Sequence, residues 1–255
     1  MIVCSSKGTN GRVLRKTLPM QISLFLAVAI SMAPQTVAQA NPNSSEFSSN
    51  VTSSEKTWAQ NLKRKAEGGS PEAQYELGRA YIEGRVFQQN IEEAVKWTQA
   101  AAAQGFAKAE VNLAVMYNEG RWVPRDYAQS RLWNEKAAAQ GDARAEYNLG
   151  VLYAYGQGVK QDLAEGIWWY LKAAEQGHQV AAYNVGVAYS QGVGVAIDEV
   201  KGYTWQLLAC HFGFPHCKET LKFLDSKLDA ARIGDAHKKA NEWIKAHPNV
   251  KGIPL

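Results

Sequence analysis

A repeated segment of 36 residues constrains the fold of this chain more than any other feature of its sequence. Four segments align at this spacing without a gap: AQYELGRAYIEG from Ala73, AEVNLAVMYNEG from Ala109, AEYNLGVLYAYG from Ala145 and AAYNVGVAYSQG from Ala181. Each is followed, at a constant distance, by a Trp, a pair of small residues and a Gly, or their near equivalents. A fixed period of this length indicates units that stack on one another to share a core.

Each unit predicts two helices. In the third unit, Ala145, Leu149, Gly150 and Tyr153 fall on one face of a helix that Gly156 would end. A polar residue then marks the start of the second helix, and in the first three units a Glu or Gln follows it by three, as in a capping box. These candidate N-caps are Asn90, Asp126, Asp162 and Asp198.

The two helices of one unit cannot bury both sides of their apolar stripe, so neighbouring units must stack. Strand patterns are absent from the sequence. We therefore predict an all-α fold: a right-handed α-solenoid of four 36-residue helix-pair repeats with helical caps at both ends. The predicted repeats are 73–108, 109–144, 145–180 and 181–216, within 73–216.

Helical caps are predicted on both sides of the repeats. Trp58, Leu62 and Ala66 are spaced four apart, which predicts an N-terminal capping helix within 57–72. A pair of capping helices is expected over 217–247, followed by a tail over 248–255. Repeat proteins need such ends to cover the outer faces of their terminal units.

The first forty residues have the order of a secretory signal. A basic segment precedes the apolar run Ile22 to Ala33, which is shorter than the roughly 20 residues that a membrane span needs. The small residues of Ala38-Gln39-Ala40 predict a signal peptide over 1–40, cleaved near Ala40. The expected product is periplasmic or secreted, has no membrane span, and begins with a flexible Ser- and Asn-rich leader over 41–56.

The charge balance excludes an electrostatic interaction with nucleic acid. The net charge of +4 arises in the predicted signal peptide, which holds four Lys and Arg residues and no Asp or Glu. The remainder carries 24 basic against 24 acidic residues. A neutral chain lacks the basic surface that phosphate backbones require.

The recurring pattern A-x3-LG-x2-Y-x2-G … D … W-x3-AA-x2-G resembles the SEL-one-like repeat (SLR) family, relatives of the tetratricopeptide repeats. The resemblance covers 73–216, and it is weakest at Arg85-Val86 and Arg121-Trp122, where the family usually has a second loop Gly. It implies an exported scaffold for a protein or peptide partner in signalling, envelope assembly or host contact, not an enzyme, and no cofactor. A cysteine-rich branch of the family is associated with penicillin binding and weak β-lactamase activity, which gives the alternative function.

The first helices of the repeats would line the concave groove of the solenoid. Rows of Tyr and Asn lie outside the predicted core stripe, and side-chain amides and aromatic rings suit an extended peptide. The same rows could instead pack between neighbouring units, and the sequence leaves this open. The candidate partner-binding residues are Tyr75, Arg79, Asn112, Tyr147, Asn148, Tyr183 and Asn184.

No catalytic or metal-binding residue is predicted. Ser53 and Lys56 match the S-x-x-K of penicillin-recognising enzymes, but the partner motifs do not follow in a suitable context and we interpret the match as chance. His178 follows the helix-ending Gly177, and we expect it to be solvated.

Cys210 and Cys217 flank the turn that leaves the fourth unit, at positions where the earlier units have small residues. Helices approach closely at such positions, so the two cysteines can meet disulfide geometry. The cysteine-rich SLR branch places its bridges at this separation, and the resemblance therefore implies a disulfide. Zinc bound by both cysteines with His211 and His216 is the alternative.

Overall fold

Helices alternate with short turns along the chain. This computed structural model describes residues 51–215 and 217–252, and within them eleven helices follow one another and no strand occurs. Their bounds are α1 Ser53–Glu67, α2 Pro71–Glu83, α3 Ile91–Ala103, α4 Ala107–Glu119, α5 Tyr127–Ala139, α6 Ala143–Tyr155, α7 Leu163–Glu175, α8 Gln179–Gln191, α9 Glu199–His211, α10 Cys217–Asp225 and α11 Ala230–Ala246.

Consecutive helices pack against each other from α1 to α10, and α11 packs against α9. The pairs α2–α3, α4–α5, α6–α7 and α8–α9 are the four repeats, so the predicted all-α solenoid of helix pairs is confirmed. Each first helix begins two residues before the predicted boundary of its unit, because its N-cap stands at 70, 106, 142 or 178.

The predicted N-caps of the second helices are confirmed. Asn90, Asp126, Asp162 and Asp198 each accept a hydrogen bond from the backbone N–H three residues later. The first helices end at a glycine in the left-handed conformation, such as Gly156 at φ 67°. Local chemistry therefore sets the length of each helix.

The core of each repeat is small and close-packed. In α6, Ala145 and Leu149 are fully buried as predicted, but Tyr153 is only half-buried and Leu152 takes the core position beside them. Position 152 lies two helical turns after 145 and so returns to the same face. Gly150 is buried against the ring of Tyr170 in α7, where a Cβ would not fit.

The N-terminal cap differs from its prediction in two respects. Helix α1 begins at Ser53, capped by Thr52 in a reciprocal capping box with Glu55, so residues 53–56 are helical rather than part of the leader. Leu62 packs inward, whereas Trp58 is 47% exposed. The predicted signal peptide and the leader up to residue 50 lie outside the described residues.

The C-terminal cap consists of α10, α11 and a returning tail. Ala236 and Ala240 bury the inner face of α11. Trp243 contacts Phe212 edge-on at 5.6 Å between ring centroids. The tail then runs back over the turns between helices, with Lys251 against Gly177 and Gly252 against the backbone of Phe212. Across residues 51–215 and 217–252, no helix has the length and apolarity needed to cross a membrane.

Candidate functional site

The tyrosine row of the first helices contacts aromatic side chains at the turns between units. Tyr147 stacks on His178 with ring centroids 4.5 Å apart, and Tyr183 stacks on Phe214 at 4.3 Å. Tyr75 packs on Phe106 at 5.4 Å. Each partner stands 31 positions later, at the entry to the next helix pair. The row therefore holds successive units together.

The asparagine row also bridges units. Asn148 donates a hydrogen bond from Nδ2 to Oδ1 of Asn134 at 3.1 Å, and Asn184 is hydrogen-bonded to the hydroxyl of Tyr170. Asn184 is 6% exposed and Tyr75 is 8% exposed. The structure thus places these two candidates in the core rather than in the groove, because their side chains fill the contact with the neighbouring unit.

A further row of contacts lies one position before the tyrosines, and the sequence pattern did not single it out. A glutamine at the end of each of the first three units donates a hydrogen bond to a Gln or Glu 30 positions earlier. We call these contacts the polar rungs; they are Gln104–Gln74 at 2.7 Å, Gln140–Glu110 at 2.7 Å and Gln176–Glu146 at 2.6 Å. A Gln before each helix-ending Gly is the signal that could have predicted the donors.

The acidic acceptors of the polar rungs are buried. Glu110 is 2% exposed and Glu146 is 4% exposed. Burial raises the pKa of both carboxyl groups, while the charges of Lys136 and Lys172 and the glutamine hydrogen bonds partly oppose the shift. A buried carboxylate whose hydrogen bond comes from a neutral amide is costly to keep ionised even with a lysine nearby, so the acidic rungs join units at some expense in stability.

Arg79 and Asn112 are the two candidates that line an open cleft. The cleft lies between α2 and α4 and has a volume of about 240 Å³. Its apolar lining consists of Ile82, Val115, Met116 and Trp122. The indole of Trp122 in turn packs on the buried cluster that contains Met116, so it forms a fixed wall.

Charged groups of both signs surround the cleft. Arg79 forms ion pairs with Glu83 at 3.1 Å and with Glu76 at 3.6 Å. The guanidinium of Arg121 lies 4.4 Å from the ring centre of Trp122, a cation–π contact. Glu119 also lines the cleft.

A second cleft of about 240 Å³ adjoins the first and shares Glu83 with it. Its lining includes Glu55, Trp58 and Arg85, and Arg85 forms an ion pair with Glu55 at 2.7 Å.

The prediction that His178 is solvated is wrong. Its side chain is 5% exposed, because it lies under Tyr147 at a turn that the C-terminal tail covers at Gly177. Nδ1 of His178 accepts the backbone N–H of Ala181 at 3.3 Å and caps α8. Burial, with a smaller effect of the Arg144 charge, lowers the pKa of His178 to about 4.

The structure describes all but one of the residues considered for catalysis or metal binding. Ser53 and Lys56 belong to the exposed first turn of α1, where the Ser53 carbonyl accepts the hydroxyl of Thr57. Over the residues that the structure describes, no three His, Cys, Asp or Glu side chains are grouped to hold a metal ion. His216, one of the ligands considered for zinc, lies outside those residues.

Cys210 and Cys217 are half-buried free thiols that contact each other. Burial and the neighbouring thiol raise the pKa of Cys210. The predicted disulfide between them stays a prediction.

Comparison with known proteins places the repeats in one family. The model of the Sel1 repeat matches residues 71–106, 107–142, 143–178 and 179–211, more than half of the chain. The described helices of each pair lie within these spans. The comparison with curated proteins finds no match.

Two solved structures share this architecture. A protective antigen of uropathogenic Escherichia coli with an SLR fold is 36% identical, with a TM-score of 0.66, over 72% of this chain and 40% of the antigen. A Sel1 repeat protein from Oxalobacter formigenes is 28% identical, with a TM-score of 0.64, over 74% of this chain and 79% of that protein. The chain thus spans less than half the length of the antigen. With four repeats in register, the chain belongs to the Sel1 repeat family, whose members generally act as scaffolds for protein–protein interactions.

Proposed function

We propose that this protein is an exported scaffold that binds a peptide or a partner protein through the groove face of its first helices. The observation that carries the proposal is the match of four consecutive Sel1 repeats. The expected settings are envelope signalling, envelope assembly or host contact. Binding is the function favoured, since the repeats belong to a family of interaction scaffolds rather than of enzymes.

Within the groove face, the cleft between α2 and α4 is the favoured contact. The candidate residues in the later repeats are engaged in contacts between units, whereas Arg79 is exposed at the cleft. Asn112 donates a hydrogen bond to the hydroxyl of Tyr75 at 3.4 Å, but it is half-buried and also lines the cleft. Contact residues need accessible surface, and the polar rim with an apolar floor is the usual anatomy of a binding site.

Site-specific photo-crosslinking tests the proposed groove. A photoreactive amino acid at position 79 is compared with the same group at Leu132, an exposed position on the second helix α5. In cells that produce the protein naturally, we expect a defined adduct from position 79 and none of the same mass from position 132. An adduct formed equally from both positions, or from 132 alone, would exclude the groove as the contact surface.

The proposal that the protein is exported rests on residues 1–40, in which a basic segment, an apolar run and small residues follow in that order. Cleavage near Ala40 predicts that protein from the envelope or medium begins at Asn41, which intact-mass measurement checks. In that oxidising compartment we also expect Cys210 and Cys217 to form a disulfide. Thiol counting on the processed protein should find none free, and two free thiols would contradict it.

A further inference from the structure

Trp122 adopts a backbone conformation that is adopted by a glycine at the equivalent position of repeats three and four. Its φ is 69°, and it is the sole residue other than glycine with positive φ in the described part of the chain. Gly158 and Gly194 occupy the equivalent loop positions at φ 69° and 68°. A residue with a Cβ is strained in this region, and strain of this kind concentrates at binding and catalytic sites.

The equivalent loops differ in the space that they leave. A Cβ at Gly158 would meet Tyr127, and one at Gly194 would meet Leu163, so these loops have no room for a side chain. The Trp122 loop instead carries a large ring that forms one wall of the cleft between α2 and α4. The strained conformation therefore accompanies a cleft at this one loop.

The size and lining of the cleft suit an aromatic side chain. An apolar cavity of about 150 Å³ holds a benzene ring, and this cleft has about 240 Å³. Met116 presents a flexible thioether, which packs well against aromatic rings. Ile82 and Val115 complete an apolar floor.

The charges around the cleft favour an uncharged occupant. Arg79 and Glu83 neutralise each other in an ion pair, and the lining also contains one further acidic and one further basic side chain, Glu119 and Arg121. Arg125 donates a hydrogen bond to the backbone oxygen of Glu119 and adds a positive charge beside it. With both signs on one rim, neither a lysine nor an aspartate side chain gains a clear electrostatic advantage.

We propose that the Trp122 cleft is the subsite that anchors the bound peptide by one uncharged aromatic side chain, such as phenylalanine. This inference rests on the proposed function and adds the chemistry that the groove selects. Trp122 and Met116 contact the ring. Asn112 on the rim donates one N–H to the hydroxyl of Tyr75, and its side-chain oxygen and second N–H are offered to the backbone of the peptide.

The test uses blocked amino acids as probes of the purified protein labelled with 15N-tryptophan. N-acetyl-phenylalanine amide, N-acetyl-lysine amide and N-acetyl-aspartate amide are titrated while the indole N–H resonance of Trp122 is followed. The resonance is identified by its loss in Trp122→Gly, a residue that tolerates φ 69°. We expect a saturable shift with the phenylalanine probe, with a dissociation constant in the millimolar range, and no saturable shift with the others.

Val115→Gln and Val151→Gln provide a matched pair, since both positions are half-buried and one repeat apart. Val115→Gln should weaken the binding of the phenylalanine probe by at least about fivefold, and Val151→Gln should change its dissociation constant by less than about twofold. Equal shifts with the lysine or aspartate probe, no shift with the phenylalanine probe, or binding unaffected by Val115→Gln would overturn the proposal. If the probe fails while position 79 still crosslinks a partner, the aromatic subsite is refuted and the proposed function stands.

Discussion

The three junctions that begin repeats two, three and four are built differently from the junction between repeat four and the C-terminal helices. Each of the first three contains a polar rung, in which a glutamine reaches back to Gln74, Glu110 or Glu146. At the fourth, the equivalent positions hold Ala182 and Phe212, both buried. There the ring of Trp243 and the returning tail cover the turn.

The difference distinguishes a junction that joins two repeats from the junction that ends the solenoid. A polar rung satisfies buried polar groups between two units of the same shape, and it can be copied from one junction to the next. The final junction has no following repeat of the same kind, so it buries aromatic surface under a helix whose other face is polar. Stability at the end should therefore depend on apolar burial, whereas at the inner junctions the polar rungs add a dependence on hydrogen bonding and charge to the apolar contacts.

The largest expected effect at pH 7 is at the closing junction. Trp243→Ala removes the ring that contacts Phe212 and that stacks on His247 at 4.1 Å. We expect a loss of about 2–3 kcal/mol in the free energy of unfolding, because a half-buried indole and its packing are lost. Hydrogen exchange should accelerate in α11 and remain unchanged in α2 to α5, since repeat units contact only their neighbours.

Trp168→Ala is the matched control, because Trp168 is 45% exposed on a second helix. It should change the unfolding free energy by less than about 0.5 kcal/mol. Equal losses of unfolding free energy in Trp243→Ala and Trp168→Ala would contradict the claim that apolar burial at the closing junction stabilises the fold.

The second effect concerns His178, which replaces the aspartate cap found at Asp142 in the preceding unit. The pKa of His178 falls to about 4 in the folded state, so the unfolded state binds the proton first as the pH drops. The contribution of neutral His178 to the free energy of unfolding is therefore fully present above about pH 6.5. It is lost as the pH falls from about 6.5 to 4, by up to about 3 kcal/mol at the lower end.

The measurement is urea unfolding at pH 7, 5.5 and 4 for the natural protein and for His178→Asn. Asparagine keeps an N-cap acceptor without a titrating ring. The stability difference between the two proteins should shift in favour of the variant as the pH falls. A difference that stays constant with pH would show that His178 does not titrate as its burial requires.

The smallest effect sharpens the account of the polar rungs. Glu146→Gln reproduces the amide–amide rung of Gln74 and Gln104 and removes a buried charge. Because burial raises the pKa of Glu146, its ionised form destabilises the fold at neutral pH, and the penalty disappears as the pH falls below the ordinary value of 4.5. We expect the variant to gain about 0.5–1 kcal/mol at pH 7 and nothing at pH 3.5 by urea unfolding. A loss at pH 7 would mean that the carboxylate itself stabilises the junction.

The helices and their ends could be predicted from the sequence because their signals are local. Asp162 caps α7 through a backbone group three residues away, and Gly156 ends α6 through its own φ. The same features recur at a constant spacing, so each repeat supported the interpretation of the others.

The side chains between units could not be assigned in this way. Tyr147 and Asn148 lie outside the core stripe of their own helix, which leaves both groove exposure and packing between units open, and in the structure they pack on His178 and Asn134. Their burial depends on how a neighbouring unit lies across them, and a pattern within one unit carries no information on that. The tail over Gly177 is a long-range contact of the same kind.

The candidate site was therefore only partly predictable. Arg79 and Asn112 were proposed from their positions, whereas the strained Trp122 was noted only as a departure from the family pattern. The positive φ of Trp122 and its place in the lining of the cleft connect this departure from the family pattern with the candidate site. The most useful signal was thus a position at which one repeat differs from the others.

The central claim is that a partner binds at the cleft between α2 and α4. The most direct measurement is the dissociation constant, by calorimetry, of the partner identified by crosslinking for the natural protein, Arg79→Ala and Lys96→Ala. Both substituted side chains are exposed and form surface ion pairs, and Lys96 also lies 5.7 Å from the ring centre of Trp97, so each change should have only a small effect on folding. The account predicts at least about tenfold weaker binding for Arg79→Ala and unchanged binding for Lys96→Ala. Unchanged binding for Arg79→Ala, with loss for Lys96→Ala, would contradict it and place the partner on the second helices.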